Sequence, residues 1–342
     1  MDVLKKGLKM DKLLTLTALR RVVQLTAFVF FVYGAMIFAT FYTDDKLTQA
    51  LPALSCAYDM KGGDYCALIP LQHQMDHRVS TLFTQNTGAL EALMGTFITV
   101  ATVVILILIL NKAFCGWLCP LGFFQETITM IGTKLGLTQL TSLSRETITK
   151  IRPIKWFIFL FLVLIFPLLT GIGFLGHEWG NPYCSICPSR IMTTAMTGDM
   201  SQVYISQANG GYFVLSLIAD TLFGLMIALA LFVRQPFCRI CPILPMQTLF
   251  KKIGLLRLVK NGNSHCDICS SCVKACPMDI YEIQNQAENK NITHSDCTLC
   301  GRCVEFCPHD GVMSFKYGPL TLYSSSKEGF KKRTKIDKWW KG

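Results

Sequence analysis

The chemistry open to this 342-residue chain is set by its sixteen cysteines and their spacing. Cys266, Cys269, Cys272 and Cys276 form a C-x-x-C-x-x-C-x-x-x-C run closed by Pro277, and Cys297, Cys300, Cys303 and Cys307 repeat it before Pro308. Three closely spaced thiolates wrap three corners of an iron–sulfur cubane from one tight loop, and a distant fourth closes it. In the doubled form of this run, the fourth cysteine of each run ligates the other cluster. The expected shells are Cys266, Cys269, Cys272 and Cys307 for one [4Fe-4S] cluster, and Cys297, Cys300, Cys303 and Cys276 for its neighbour. Zinc is the alternative, but its structural sites are built from separated Cys or His pairs, not three linked cysteines with a fourth before proline. Clusters of this kind carry electrons, which leaves the question of partners.

Eight cysteines remain. Cys115 and Cys119 stand in CGWLCP, Cys184 and Cys187 in CSICP, Cys238 and Cys241 in CRICP, and Cys56 and Cys66 are more widely spaced. Proline follows Cys119, Cys187 and Cys241 as it follows Cys276 and Cys307. Proline suits the first position of a helix. Each motif would then aim a helix N-terminus, with its positive dipole end, at an anionic group.

The elements that must position these motifs are apolar. Hydrophobic residues make up 51% of the chain and charged ones 16%, a composition that points to several membrane spans. Four stretches, Val22 to Phe41, Leu90 to Leu110, Ile154 to Phe174 and Tyr212 to Val233, each approach the ~20 residues that cross a hydrocarbon core. The first is read as an uncleaved span rather than a signal peptide, because it is long and lacks an A-x-A site. Pro167, Gly171 and Gly173 should kink or loosen the third. Lys and Arg number 6 before the first span, 6 in the 111–155 loop and 17 from Arg234 onward, against Lys46, Lys61, Arg78 and Arg190 in the two opposite segments. That bias puts both termini in the cytoplasm of a bacterial-type inner membrane. The net charge of +11 is thereby assigned to the membrane surface rather than to nucleic acid.

The fold class expected is a mainly α membrane protein, a four-helix transmembrane bundle with a C-terminal α+β double-cluster ferredoxin domain. Residues 1–258 would form the membrane domain and 259–318 the ferredoxin. Residues 319–342 would form a basic aromatic tail that either grips anionic lipid or an acidic partner, or is a solvated end. Pro242 to about Leu258 reads as a short interfacial helix, and Ile280 to Thr293 as short strands around a polar turn.

On this map the eight remaining cysteines sort into four per face. Cys115, Cys119, Cys238 and Cys241 fall inside, where a third cluster competes with zinc or free thiols. Cys56, Cys66, Cys184 and Cys187 fall outside, where a fourth cluster competes with disulfides. The order span, outer pair, span, inner pair occurs twice, a loose internal repeat. His73, His77, His177, Glu178 and the intramembrane Asp220 are polar groups able to take a quinol's proton, or simply solvated or locally paired residues. A hydrocarbon core of ~30 Å is too wide for one hop between faces, so a quinone, a haem or a cluster sunk into the bundle must bridge it. No nucleotide fingerprint or C-x-x-C-H haem motif is present.

The four spans, the cysteine–proline motifs after spans two and four and the C-terminal double run resemble the NapH, NosR and CcoG group of membrane-bound polyferredoxins. RRVVQL before span one and Asn181-Pro182 after span three are similar as well. The resemblance covers nearly the whole chain. It departs at Cys238-x-x-Cys241, one residue tighter than the usual C-x-x-x-C-P, and in the outer cysteine set, which the group does not normally carry. It implies an electron-transfer component of a membrane oxidoreductase rather than a stand-alone enzyme. Such a component passes electrons between the quinone pool, or a cytoplasmic donor, and an extracytoplasmic redox partner, with other subunits around it. The alternatives are a CcoG-like metal-reducing assembly factor for an oxidase and a membrane redox sensor.

Overall fold

The computed structural model describes residues 15–38, 66, 68–84, 89–140, 143–261, 266–285 and 290–336. Three helices are long and apolar enough to cross a membrane, judged by length and composition: α1, whose span is Leu16–Tyr33 within Leu16–Phe38, and two described below as α5 and α8. After α2 (Leu68–Gln74) comes α3 (Ala89–Leu110), which is apolar over the shorter stretch Thr96–Leu110. A widened helical turn at Phe114–Leu118 carries Cys115 and leads into α4 (Pro120–Lys134). α5 (Arg145–Gly171) is continuous through Pro153, with a widened turn over Phe159–Ile165. There the Phe166 N–H reaches back five residues to the Phe161 carbonyl, immediately before Pro167, whose ring nitrogen has no proton to donate. The proline expected to kink this helix is absorbed by that turn.

Two short helices, α6 (Pro182–Ile186) and α7 (Pro188–Met196), precede α8 (Gly210–Ala230). Asn209 caps α8, its side chain accepting a hydrogen bond from the Tyr212 N–H at 2.8 Å. α6 packs on α8 and on the widened turn of α5, and α7 packs on α4 and α8. The connection between α5 and α8 therefore enters the bundle instead of lying over its end. Its apolar side chains join one cluster with those of α1, α3, α4, α5 and α8. On the outward faces of the long helices large apolar residues stay uncovered, Phe97 at 71% and Phe157 at 60% exposed, a surface that suits lipid and not water.

The C-terminal part begins earlier than the sequence suggests. The interfacial helix α9 (Ile243–Leu249) stops at Leu249, and β1 (Leu256–Lys260) follows. Four antiparallel strands lie in the order β2 (Lys290–Asn291), β1, β3 (Met313–Tyr317) and β4 (Leu320–Ser324). The short helices α10 (Ser271–Ala275) and α11 (Arg302–Glu305) each begin inside a cysteine run. Between them the described residues of the Ile280–Thr293 stretch hold a helical turn at Tyr281–Asn285 and the two-residue β2. The residues after Gly318, read as a tail, supply β4 and α12 (Lys327–Ile336), which packs on α11 with Arg333 buried against Glu305. Trp339 and Trp340 lie outside the described residues.

Candidate functional site

Each cysteine run bends through the same backbone form. Ile268 and Ser270 in the first run, and Leu299 and Gly301 in the second, occupy equivalent positions, and all four have positive φ, from 51° to 75°. Three of them are not glycine, so the conformation costs about 1–3 kcal/mol each and persists where function needs it. Left-handed residues at alternate positions of a tight loop favour backbone concavities whose N–H groups can cradle an anion. Cys266, Cys269, Cys272 and Cys307 line one pocket, and Cys276, Cys297, Cys300 and Cys303 line another. Burial pushes Cys272 and Cys297 up to about 12 and Cys276 to about 11, with the neighbouring thiols adding to it. Four sulfur donors converging on one pocket suit a soft metal group. When bound, such a cluster supplies a one-electron couple.

Cys115, Cys119, Cys238 and Cys241 come together where α4 and α9 begin. Burial raises all four thiols, Cys119 to about 11 and Cys241 to about 12, and Cys115 is raised further by the other three. The Cys119-Pro120 step shows why the motif has this form. A residue before proline is driven to extended backbone, and Cys119 (φ −63°, ψ 116°) caps α4 with Pro120 at its first position. Cys187 (φ −73°, ψ 122°) caps α7 before Pro188 in the same way.

Three buried glutamines, missed in the sequence, hold these cysteines. Gln125 donates from Nε2 to Cys238 Sγ at 3.5 Å and accepts the Phe237 N–H at 3.0 Å. Gln247 Oε1 lies 3.3 Å from Cys115 Sγ, and Gln72 Nε2 donates to Cys184 Sγ at 3.0 Å. Each stands six residues after a cysteine, at Cys119, Cys241 and Cys66, and reaches the first cysteine of another pair. This C-x-x-x-x-x-Q spacing is a signal that the internal repeat contained.

Three of the cysteines expected at the outer face, Cys66, Cys184 and Cys187, pack in or against the helical core. Cys66, Cys184 and Cys187 are fully or half-buried, and Cys187 is free of any disulfide. Tyr183, 3% exposed, stands between the two membrane sets, its Oη 3.8 Å from Cys241 Sγ and 3.9 Å from Cys187 Sγ. The two sulfurs are thus no farther apart than those two lengths together, which removes the full-membrane gap expected between the sets. Cys56 lies outside the described residues.

At the other end, the Cys115–Cys119 loop presses on the second cysteine run. Trp117 Nε1 donates to the Leu299 carbonyl at 2.9 Å, and its ring stacks on Phe315. At Gly116 the backbones approach so closely that a Cβ would overlap the Thr298 carbonyl oxygen. Lys112, wholly buried and lowered to about 8 by burial, donates to Thr248 Oγ1 at 2.8 Å and to the His294 carbonyl at 2.9 Å.

Ion pairs fix this docking. Glu126 of α4 joins Arg20 of α1 to Arg302 beside Cys303. Burial alone would raise the Glu126 carboxyl, but the two guanidiniums hold it well below the ordinary carboxylate range. Asp279 meets Arg239 at 2.7 Å and Arg234 at 3.3 Å. Asp296 meets Arg152 at 2.6 Å and Lys155. Arg20 and Gln24 of the RRVVQL stretch are buried contacts to α4 and to the Gly116 carbonyl, in addition to any part in orienting the chain.

The polar groups expected as proton acceptors gather only in part. The His73 and His77 rings lie 4.4 Å apart, and His77 Nε2 is 3.4 Å from the carboxylate of buried Asp76, a residue the sequence did not single out. Burial and then His77 lower His73. Asp220 lies half-buried on α8.

A 4Fe-4S binding domain family matches residues 92–138 and 217–260, and a 4Fe-4S dicluster domain family matches 258–308. Among similar proteins, NapH of Haemophilus influenzae, a ferredoxin-type protein, is 27% identical over 53% of this chain and 53% of its own length. MauN of Methylobacillus flagellatus, a methylamine utilization ferredoxin-type protein, is 26% identical over 58% of the chain and 59% of its own. YccM of Escherichia coli, named as an electron transport protein, is 27% identical over 67% and 58%. In sequence the chain is similar to these ferredoxin-type proteins, NapH among them. It spans between half and three-fifths of the length of these three relatives, and no solved structure matches it. Both family matches contain the cysteine motifs described above, the first taking in CGWLCP and CRICP and the second both cysteine runs.

Proposed function

We propose that this chain is a NapH-type, membrane-bound electron-transfer protein with four [4Fe-4S] clusters in series. Cys266, Cys269, Cys272 and Cys307 hold the first, and Cys276, Cys297, Cys300 and Cys303 the second. Cys115, Cys119, Cys238 and Cys241 hold the third, and Cys66, Cys184 and Cys187, with Cys56, the fourth. The observation that carries this reading is the unbroken line of cysteine sets, from the two runs through the Gly116 contact to the pair of sulfurs around Tyr183. Four spans, with both termini and the ferredoxin region (259–318) in the cytoplasm, follow from the Lys/Arg bias. α3 supplies the second span, and irregular backbone at α6 and α7 is tolerated at membrane depth because protein surrounds it.

The electrons pass between a cytoplasmic donor or the quinone pool and an extracytoplasmic partner within a larger redox complex. The Asp76–His77 pair is the acceptor best placed for a quinol proton, being a buried carboxylate beside an exposed imidazole. Iron and sulfide analysis of the anaerobically purified full chain tests the cluster count. Four clusters require about sixteen irons, and Cys187→Ser should lower the count. A value near twelve that Cys187→Ser leaves unchanged would eliminate the fourth cluster.

A further inference from the structure

Resting on the four-cluster reading, we propose that Tyr183 is a positioning residue shared by two iron–sulfur sites, its one hydroxyl proton donated to a ligand sulfur of either the Cys187 site or the Cys241 site. The geometry is symmetrical. One oxygen stands 3.8 Å from Cys241 Sγ and 3.9 Å from Cys187 Sγ, and the phenol is enclosed at 3% exposure. Cluster-bound cysteines are thiolates and carry no S–H, so the phenol is the only donor of the three groups. It serves one sulfur at a time.

Hydrogen bonds to cluster sulfurs are among the determinants of reduction potential, because they favour the more negative, reduced state. The sulfur that receives the Tyr183 proton therefore belongs to the cluster with the raised potential, and the other loses the same advantage. A single rotor between the sites would set the order of their potentials, and so the direction in which an electron comes to rest. No proton leaves the phenol in the transfer. One cluster is oxidised by one electron and its neighbour is reduced by one.

The side-chain contacts from Gln72, Gln125 and Gln247 each serve one set, and the backbone N–H groups of Ser189 and Arg190 serve Cys187 as that of Ile243 serves Cys241. Tyr183 differs in facing both. Its ring also fills the core between α6 and its neighbours, so the hydroxyl and the ring have to be tested separately.

The test uses the full chain in detergent, purified anaerobically, with potentials read by redox titration followed by electron paramagnetic resonance. Tyr183→Phe keeps the ring and removes the proton. With iron content unchanged, it should lower the midpoint potential of one membrane cluster by about tenfold in its oxidised–reduced equilibrium, about 59 mV for one electron. Both ferredoxin clusters should stay in place. Loss of signals in Cys187→Ser and Cys241→Ser assigns the shifted cluster. Tyr183→Leu removes ring and proton together. A shift in the Leu variant with none in the Phe variant would make Tyr183 a packing residue and overturn the proposal. Full iron with unmoved potentials overturns the role of Tyr183 alone. An iron count unaffected by Cys187→Ser removes the fourth cluster, and the shared bond falls with it.

Discussion

Gly116 shows how narrow the tolerance is between the membrane cysteines and the ferredoxin runs. It lies between Cys115 and Trp117, and a side chain there would meet the Thr298 carbonyl oxygen and the Cys300 backbone rather than a yielding side-chain tip. Gly116→Ala must therefore push two backbones apart. Overpacking of this kind costs about 1–3 kcal/mol. The expected outcome is a lowered melting temperature in detergent, together with weaker magnetic interaction between the Cys115 and Cys297 sites at an unchanged iron count. Ala at the exposed Gly136 would not serve as the control, because its φ of +77° strains any L-residue. Gly224, on α8 with open space around its Cα, would. The glutamines belong to this scale too. Gln72, Gln125 and Gln247 are buried amides held by cysteine sulfur, and their regular six-residue offset was present in the sequence. It escaped notice because a buried glutamine has no recognisable motif until its partner is known.

Helices and runs were the most legible part. The span expected at 212–233 corresponds to Gly210–Ala230, while the one expected at 90–110 is a helix, Ala89–Leu110, apolar over the shorter Thr96–Leu110. α1 and α5 begin earlier than their apolar runs, at Leu16 and Arg145, because buried polar residues there pair with other elements. Arg20, read as a topological anchor, is fully buried on Glu126, and Lys155 is buried on Asp296. Sequence hydropathy treats such residues as boundaries, and only the partner reveals that they are interior. Glu126 makes the test. Removing it leaves Arg20 and Arg302 buried without their counter-charge, so Glu126→Ala should destabilise the docked ferredoxin region by about 3–5 kcal/mol. The pH dependence follows from the sign of the shift. The folded carboxyl titrates far below its unfolded value of 4.5, so the contribution is full above that pH and is lost as pH falls toward the folded value. Thermal melts from pH 7 down to pH 4 should show a shallower acid decline in Glu126→Gln than in the parent. Parallel declines would place the acid sensitivity elsewhere.

At the scale of the whole molecule, the position of the cysteines changes the problem of crossing a membrane. Sequence reasoning sorted eight of them to opposite faces by counting spans, and required a quinone, a haem or a sunken cluster between. Counting spans cannot show that a loop turns inward. The helix-starting prolines at 182 and 188 allow α6 and α7 to fold back between α5 and α8, which carries Cys187 to Tyr183 and Cys241. On the four-cluster reading, a path built this way would run from the ferredoxin sheet to the α5–α8 connection, and its direction would depend on the sheet lying in the cytoplasm. β4 offers the position to test. Thr321 is exposed on it, beyond the cysteine runs in sequence. In Thr321→Cys, a membrane-impermeant thiol reagent should leave the residue unlabelled in intact cells and label it after permeabilisation, while Asn209→Cys, at the start of α8, should react in intact cells. Labelling of position 321 in intact cells would turn the whole path over, sending the Cys187 site to the cytoplasm and the ferredoxin clusters outside, where the Lys/Arg bias says they do not belong.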